Sequence, residues 1–135
     1  MIPVRDSVFC RTPPYAVVTL IVINAFVFFH MLTLGPQATQ RFVLEFALIP
    51  LLYAPPPGVE LPPLGFAEYA RIVTSTFLHG GWLHILLNMW TLWLFGCALE
   101  SRLGTGRFVV FYIDCGLAAG IVHVAFNAGS QIPTL

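Results

Sequence analysis

The sequence predicts an all-α integral membrane protein with three transmembrane helices. Of its 135 residues, 58% are hydrophobic and only 9% are charged, and the mean hydropathy is +0.85. A soluble domain carries about 25% charged residues, so this composition belongs to a chain solvated by lipid. Three apolar runs also approach the roughly 20 residues that a helix needs to cross the hydrocarbon core. Net charge is zero, all six basic residues are arginine, and they are scattered along the chain. No basic patch exists for nucleic acid, and that class of partner is excluded.

Residues 1–14 form a terminal segment carrying Arg5 and Arg11 and ending in Pro13-Pro14. It does not read as a cleaved signal peptide, because the apolar run behind it is long and lacks a nearby small-residue cleavage site. That run, residues 15–34, is the first span, closed by Gly35-Pro36. A long connection follows, residues 35–71. Its piece "RFVLEFALIPLLY" is apolar but too short to span, which predicts a short interfacial helix. "APPPG" and "LPPLG" then read as turns. The second span covers about 82–99 and the third about 108–127. Cys10, Cys97 and Cys115 show no CxxC spacing, so neither a disulfide framework nor a zinc site is expected. Within the apolar runs, Cys97 and Cys115 read as buried thiols acting as small hydrophobes.

Arginine placement orients the chain. Arg5 and Arg11 precede the first span, and Arg102 and Arg107 lie in the short "ESRLGTGR" connection. The longer connection holds Arg41 and Arg71 against Glu45, Glu60 and Glu68. The positive-inside tendency predicts a cytoplasmic amino terminus, with the 35–71 loop and carboxyl terminus outside. His84 and Asn88 then lie in the outer half of span two. His30 and His123 fall near the outer ends of their spans, so all four histidines are expected on one side.

Polar side chains within a span are costly and call for a reason. His84 and Asn88 are four residues apart and share a helical face, extended by Thr91. His79 precedes them, separated by Gly80-Gly81, which would permit a tight turn into the helix. The spacing alone leaves three readings. The polar groups could be hydrogen-bonding glue between helices. Histidines on different spans could ligate a metal or a haem, although no HExxH or comparable ligand pattern occurs. A side-chain amide and an imidazole could also form an oxyanion hole, which would need a nucleophile.

Longer motifs surround this stretch: "MIPVRD" at the start, "ARIVTSTFLHGGWLHILLNMWTLWLFG", "ALESRLGTGRFVVFY" and "NAGSQIPTL". Through them the chain resembles the amino-terminal half of the rhomboid family of intramembrane serine proteases. The resemblance implies three helices equivalent to the first half of a six-helix rhomboid fold, with residues 15–135 a partial domain. It implies hydrolysis of peptide bonds in membrane-embedded protein substrates by a serine–histidine dyad, without cofactor or metal. His84 and Asn88 would stabilise the oxyanion, and His79 would support local structure. Arg71 would match the arginine of a Trp-Arg pair in the external loop, although Ala70 holds the tryptophan's place. Glu100 and Arg102 would belong to a cytoplasmic hydrogen-bond network. "QIPTL" would lead toward a fourth helix. The lipid bilayer of a bacterial inner (plasma) membrane is the implied location.

One part of the family pattern is missing. Rhomboids attack with the serine of a GxSG motif and activate it with a later histidine, and neither is found in these 135 residues. Ser7, Ser75, Ser101 and Ser130 all lie in other contexts, and a nucleophilic serine needs a positioned base. The expectation is a fragment that is inactive alone. The alternatives are a non-catalytic rhomboid-like protein that binds transmembrane segments, or a haem-binding membrane protein.

Two further features lie in span three. Asp114 would be a protonated or hydrogen-bonded residue packed against another helix, with a proton relay as the alternative. Gly116 and Gly120 form a small-xxx-small face that suits close packing within the protein or a homodimer. The oligomeric state is not fixed by the sequence.

Overall fold

A computed structural model describes Cys10 and residues 12–135. Among them the chain is helical: α1 (Tyr15–Thr33), α2 (Pro36–Phe46), α3 (Phe66–Thr74), α4 (Trp82–Thr91), α5 (Cys97–Leu103) and α6 (Thr105–Phe126), with short 3-10 turns at Pro50–Leu52 and Ser75–Phe77. A π turn over Leu92–Gly96 joins α4 to α5, so the second span runs unbroken from Trp82 to Leu103. The three spanning helices have 19, 22 and 22 residues. At 1.5 Å per residue they reach about 28–33 Å, which matches a hydrocarbon core of about 30 Å. Their outer faces carry Val22, Phe26, Leu83, Leu86, Val110 and Ile121, all exposed, as lipid-facing surface requires. The chain is therefore an integral membrane protein.

The first turn of α1 is capped from a distance. Pro13 and Pro14 precede it, and no side chain near the terminus caps its free N–H groups. Four N–H groups at a helix start need partners. Tyr15 and Val18 donate to the carbonyls of Pro13 and Pro14, each at 3.0 Å. Ala16 and Val17 donate to the two Glu100 carboxyl oxygens, each at 2.9 Å. Thr105 adds a third hydrogen bond, at 2.8 Å. Glu100 is 2% exposed, so the end of span two anchors the start of span one. Spans two and three meet at Gly104, whose φ of +81° suits glycine and turns the chain back within one residue.

The three spans converge at this end. Ala16, Val17, Leu20 and Phe108 form a buried cluster. Gly96 sits within it, and a Cβ there would fall 2.9 Å from Val17 Cγ2 and 3.2 Å from Phe108 Cζ. Asn24, fully buried in span one, donates to the Leu20 carbonyl at 2.7 Å. At the opposite end, Met31, Ala47 and Leu78 pack together beneath α2. Residues 129–134 run back along residues 48–54, with Thr134 N–H donating to Leu48 O at 2.8 Å and Leu51 N–H to Ser130 O at 2.9 Å.

Several local expectations change. The interfacial helix runs Pro36–Phe46 rather than within 41–53, because Pro36 suits a helix's first turn and Pro50 prevents its continuation. A further helix, α3, follows the proline-rich turns, where the sequence predicts no element. Arg71 Nε donates to Glu45 O at 3.0 Å, and the Thr74 hydroxyl to Phe46 O at 2.7 Å, fixing α3 beside the end of α2. The Tyr53 hydroxyl donates to the Glu68 carbonyl. Cys10 is disulfide-bonded to Cys97, with Cα atoms 5.3 Å apart. Residues 87 positions apart give no spacing pattern to read. Cys115 is free and exposed rather than buried. Asp114 also points outward instead of against another described helix. Gly81 has φ of 174°, extended backbone open to any residue, so the Gly-Gly pair is not a conformational requirement.

A candidate active-site cavity at the His79 end

Span two begins at Trp82, whose ring packs edge-on against Phe28 at 5.0 Å and Phe29 at 6.0 Å. That contact sets the rotation of α4. Its apolar residues Leu83, Leu86 and Trp90 are exposed as lipid-facing surface, while His84 and Asn88 line a cavity of about 260 Å³. Thr91, on the same helical stripe, lies outside it.

Leu48, from the connection after α2, and three further segments close the cavity. Ser75, Thr76 and Leu78 come from the turn after α3, Gly116, Ala119, Gly120 and His123 from span three, and Thr134 and Leu135 from the chain's last residues. The two glycines set how closely span three approaches. A Cβ on Gly116 would lie 2.8 Å from Thr76 Cγ2, and one on Gly120 3.0 Å from Ile72 Cγ2. Both glycines thus pack within the molecule against α3 and the turn that follows it.

His79 is 3% exposed and stands beside the cavity. Its Nδ1 lies 3.3 Å from the Phe77 carbonyl, and its ring meets the His84 ring edge-on at 5.0 Å. Burial, and then the neighbouring His84, hold its pKa below the usual histidine value. Neither His84 nor Asn88 makes a hydrogen bond to another described residue, so their N–H groups stay available to an occupant. An imidazole and a primary amide on one helix face supply two kinds of N–H donor to the same cavity. The buried Thr134 Oγ1, on a residue that also lines the cavity, has no hydrogen-bond partner among the described residues.

The other candidate residues scatter. His123 lines the cavity, with its Nδ1 3.5 Å from Asn127 Nδ2. His30 packs against Phe42 at 5.5 Å, outside the cavity. Among the described residues no group of three or more His, Cys, Asp or Glu side chains is placed to hold a metal. Arg71 serves the α2–α3 contact, and Glu100 caps α1 at the far end of the spans. Arg102 is exposed and makes no hydrogen bond or ion pair among the described residues. The Ser75 hydroxyl donates to Ile72 O at 3.2 Å, and Ser130 Oγ accepts from Ile132 N–H at 3.2 Å. Neither serine is bonded to a histidine. Asn24 was missed by sequence reading. An amide within an apolar span is the same kind of signal that marked Asn88.

A three-span helical membrane protein with a cavity between span two, span three and the turn after α3 is the class these features define. A family model described as Rhomboid domain matches residues 67–135, half of the chain, and the chain belongs to the rhomboid family. It is 35% identical over 60 residues to rhomboid protease GluP of Bacillus subtilis (strain 168), covering 44% of this chain and 12% of that protein. Putative rhomboid protease YdcA of the same organism is 39% identical over 54 residues, 40% of this chain and 27% of that protein. Rhomboid protease GlpG of Salmonella newport (strain SL254) is 38% identical over 66 residues, 49% of this chain and 24% of that protein. The chain thus matches about a quarter or less of each relative's length. No solved structure matches it.

Proposed function

We propose that this chain carries the oxyanion-stabilising half of a rhomboid-type intramembrane serine endopeptidase. One observation carries the reading: His84 and Asn88 open together into the cavity, with donors not bonded to any described residue. In peptide hydrolysis a serine oxygen attacks the scissile carbonyl carbon, and the carbonyl π electrons move onto oxygen. An imidazole N–H of His84 and the Asn88 amide would donate to that oxygen more strongly as its charge grows. Each such donor is worth about 10²–10³ in kcat. The tetrahedral intermediate then collapses, the C–N bond breaks, and the amine leaves with the proton that the serine surrendered to its base. His79 buttresses His84, and Gly116 and Gly120 hold the opposite wall.

The serine and its histidine base would come from outside residues 1–135, since neither Ser75 nor Ser130 is hydrogen-bonded to a histidine. By itself the chain is expected not to cleave membrane-embedded substrates. The arginine distribution supports a cytoplasmic amino terminus and Gly104 turn, with the cavity toward the outside of a bacterial plasma membrane. Two measurements test the reading. In a full-length protein that joins these residues to a GxSG serine and a later histidine, replacing both His84 and Asn88 by Ala should cut peptide cleavage at least 10³-fold while the fold is retained. Undiminished cleavage would refute the assignment. The chain alone, in detergent, should not label with a serine-directed fluorophosphonate, and labelling at Ser75 or Ser130 would overturn the division of the site.

A further inference from the structure

Asn24 carries a buried acceptor that needs a donor. Its Nδ2 donates to Leu20 O at 2.7 Å, which settles which end of the amide is nitrogen. The other end, Oδ1, is buried and has no hydrogen-bond partner among the described residues. Asn24 is 0% exposed, so neither lipid nor a further helix reaches that oxygen. Its donor has to come from side chains already packed around it, because an unpaired buried acceptor is costly.

Span three supplies one. Spans one and three both start at the Glu100 end and run the same way. Asn24 stands nine residues beyond the start of α1 and Tyr112 seven beyond the start of α6, about 14 and 11 Å along their axes at 1.5 Å per residue. One turn earlier on each helix, Leu20 and Phe108 share a buried cluster, and Tyr112 packs against it. The Tyr112 hydroxyl lies within hydrogen-bonding reach of the Asn24 and Thr76 side chains. Thr76 already gives its hydrogen to Val73 O at 2.7 Å. Of the two hydroxyls, the tyrosine is the donor left for Oδ1.

The same tyrosine reaches the cavity wall. Its ring lies 6.4 Å from the Phe77 ring, and the neighbouring Thr76 lines the cavity together with His84 and Asn88. Gly116, one turn beyond Tyr112, brings its backbone against the Thr76 methyl, 2.8 Å from where a Cβ would stand. Span three thus meets Thr76 at two successive turns, through a hydroxyl at 112 and bare backbone at 116.

We propose that Tyr112 is a positioning residue for the cavity: its hydroxyl donates to Asn24 Oδ1, and the ring anchored in this way holds Thr76 and Phe77 in place beside the His84–Asn88 face. The position of the wall is then referred to span one as well as to span three.

NMR on the chain reconstituted in nanodiscs, with isotope-labelled tyrosine and asparagine, tests both halves. The Tyr112 Cζ resonance reports whether its hydroxyl donates, and it should move in Asn24→Leu. The Asn88 side-chain amide signal, a probe of the cavity, should shift in Tyr112→Phe. Unfolding should be eased about three- to tenfold by Tyr112→Phe in the wild-type background, the scale of one interhelical hydrogen bond, and less than about twofold in Asn24→Leu. Tyr112→Phe removes one oxygen and keeps the ring, so its NMR arm decides the matter even where Asn24→Leu does not fold. An unmoved Tyr112 resonance or fully additive losses would overturn the bond. An unmoved Asn88 amide in Tyr112→Phe would overturn the positioning role. In a full-length protease, Tyr112→Phe should lower kcat several-fold with KM within about twofold. That last arm rests on the oxyanion reading: unchanged kcat would overturn the proposal where replacing His84 and Asn88 abolishes cleavage, and where it does not, the oxyanion reading fails and the NMR arms decide the positioning role alone.

Discussion

Replacing Glu100 tests whether the end of span two holds the start of span one. The Glu100 side chain accepts from the Ala16 and Val17 amides at 2.9 Å each and from the Thr105 hydroxyl at 2.8 Å. Ala16 is 5% exposed and Val17 0%, so water cannot replace the lost acceptor. In Glu100→Ala, two buried amides lose their partners, at about 1–3 kcal/mol each, and Thr105 loses a third bond. Against this, the variant is relieved of the cost of burying a polar group. The expected net loss is about 3–5 kcal/mol. Glu100→Gln keeps one acceptor oxygen but turns an NH2 toward a backbone N–H, for a loss of about 2–3 kcal/mol. Thr105→Val removes one bond and should lose about 1 kcal/mol. Reversible unfolding in mixed micelles, followed by far-ultraviolet circular dichroism, measures all three. Hydrogen exchange locates the effect, since the Ala16 and Val17 amides should lose protection before the middle of α1 does. A Glu100→Ala variant within 1 kcal/mol of wild type would refute the capping account. So would a glutamine variant less stable than the alanine variant.

Gly116→Val should destabilise the protein by about 1–3 kcal/mol through overpacking, because its Cβ would press on Thr76 Cγ2 at 2.8 Å. Gly81→Ala should stay within about 0.5 kcal/mol of wild type, since its φ is 174° and nothing lies within 4 Å of the added atom; denaturant titration compares the pair. Gly104→Ala should lose about 1–3 kcal/mol by forcing a side chain into a backbone conformation at φ +81°, read as a lowered midpoint in the same titration. His79 gives a pH dependence. Its folded pKa lies below the unfolded value, so the unfolded chain binds the proton more readily and stability rises with pH. The His79 contribution is present above about pH 6.5 and is lost as pH falls toward and through the folded value. The unfolding midpoint should therefore fall on acidification across that window, with a shallower fall in His79→Gln. Equal slopes in the two proteins would show that another group titrates.

The residues that act locally were the legible ones. His84 and Asn88 stand out because they recur at helical spacing inside an apolar run, and that spacing alone puts them on one face. Asp114 stands out as a charge in a span, yet its direction did not follow, because nothing local says which face of span three meets the other helices. The glycines at 116 and 120 announce a close approach without naming its partner, which is α3 and the turn after it rather than another span. That helix escaped notice because nine residues after a proline-rich stretch carry little periodicity to read. The Cys10–Cys97 bond and the Glu100 cap join segments more than 80 residues apart, and no window of sequence contains both partners.

The sequence by itself determined that this chain lies in a membrane, how many times its helices can cross, and which span carries the paired donors. Hydropathy, length and helical period are properties of a segment alone, and lipid enforces them segment by segment. Tertiary structure decided what those segments meet. It set the wall opposite His84 and Asn88, the carboxyl group that starts span one, and the side of span three on which Asp114 is left. Those outcomes depend on which backbones can come within van der Waals distance, and that is settled only when the helices pack.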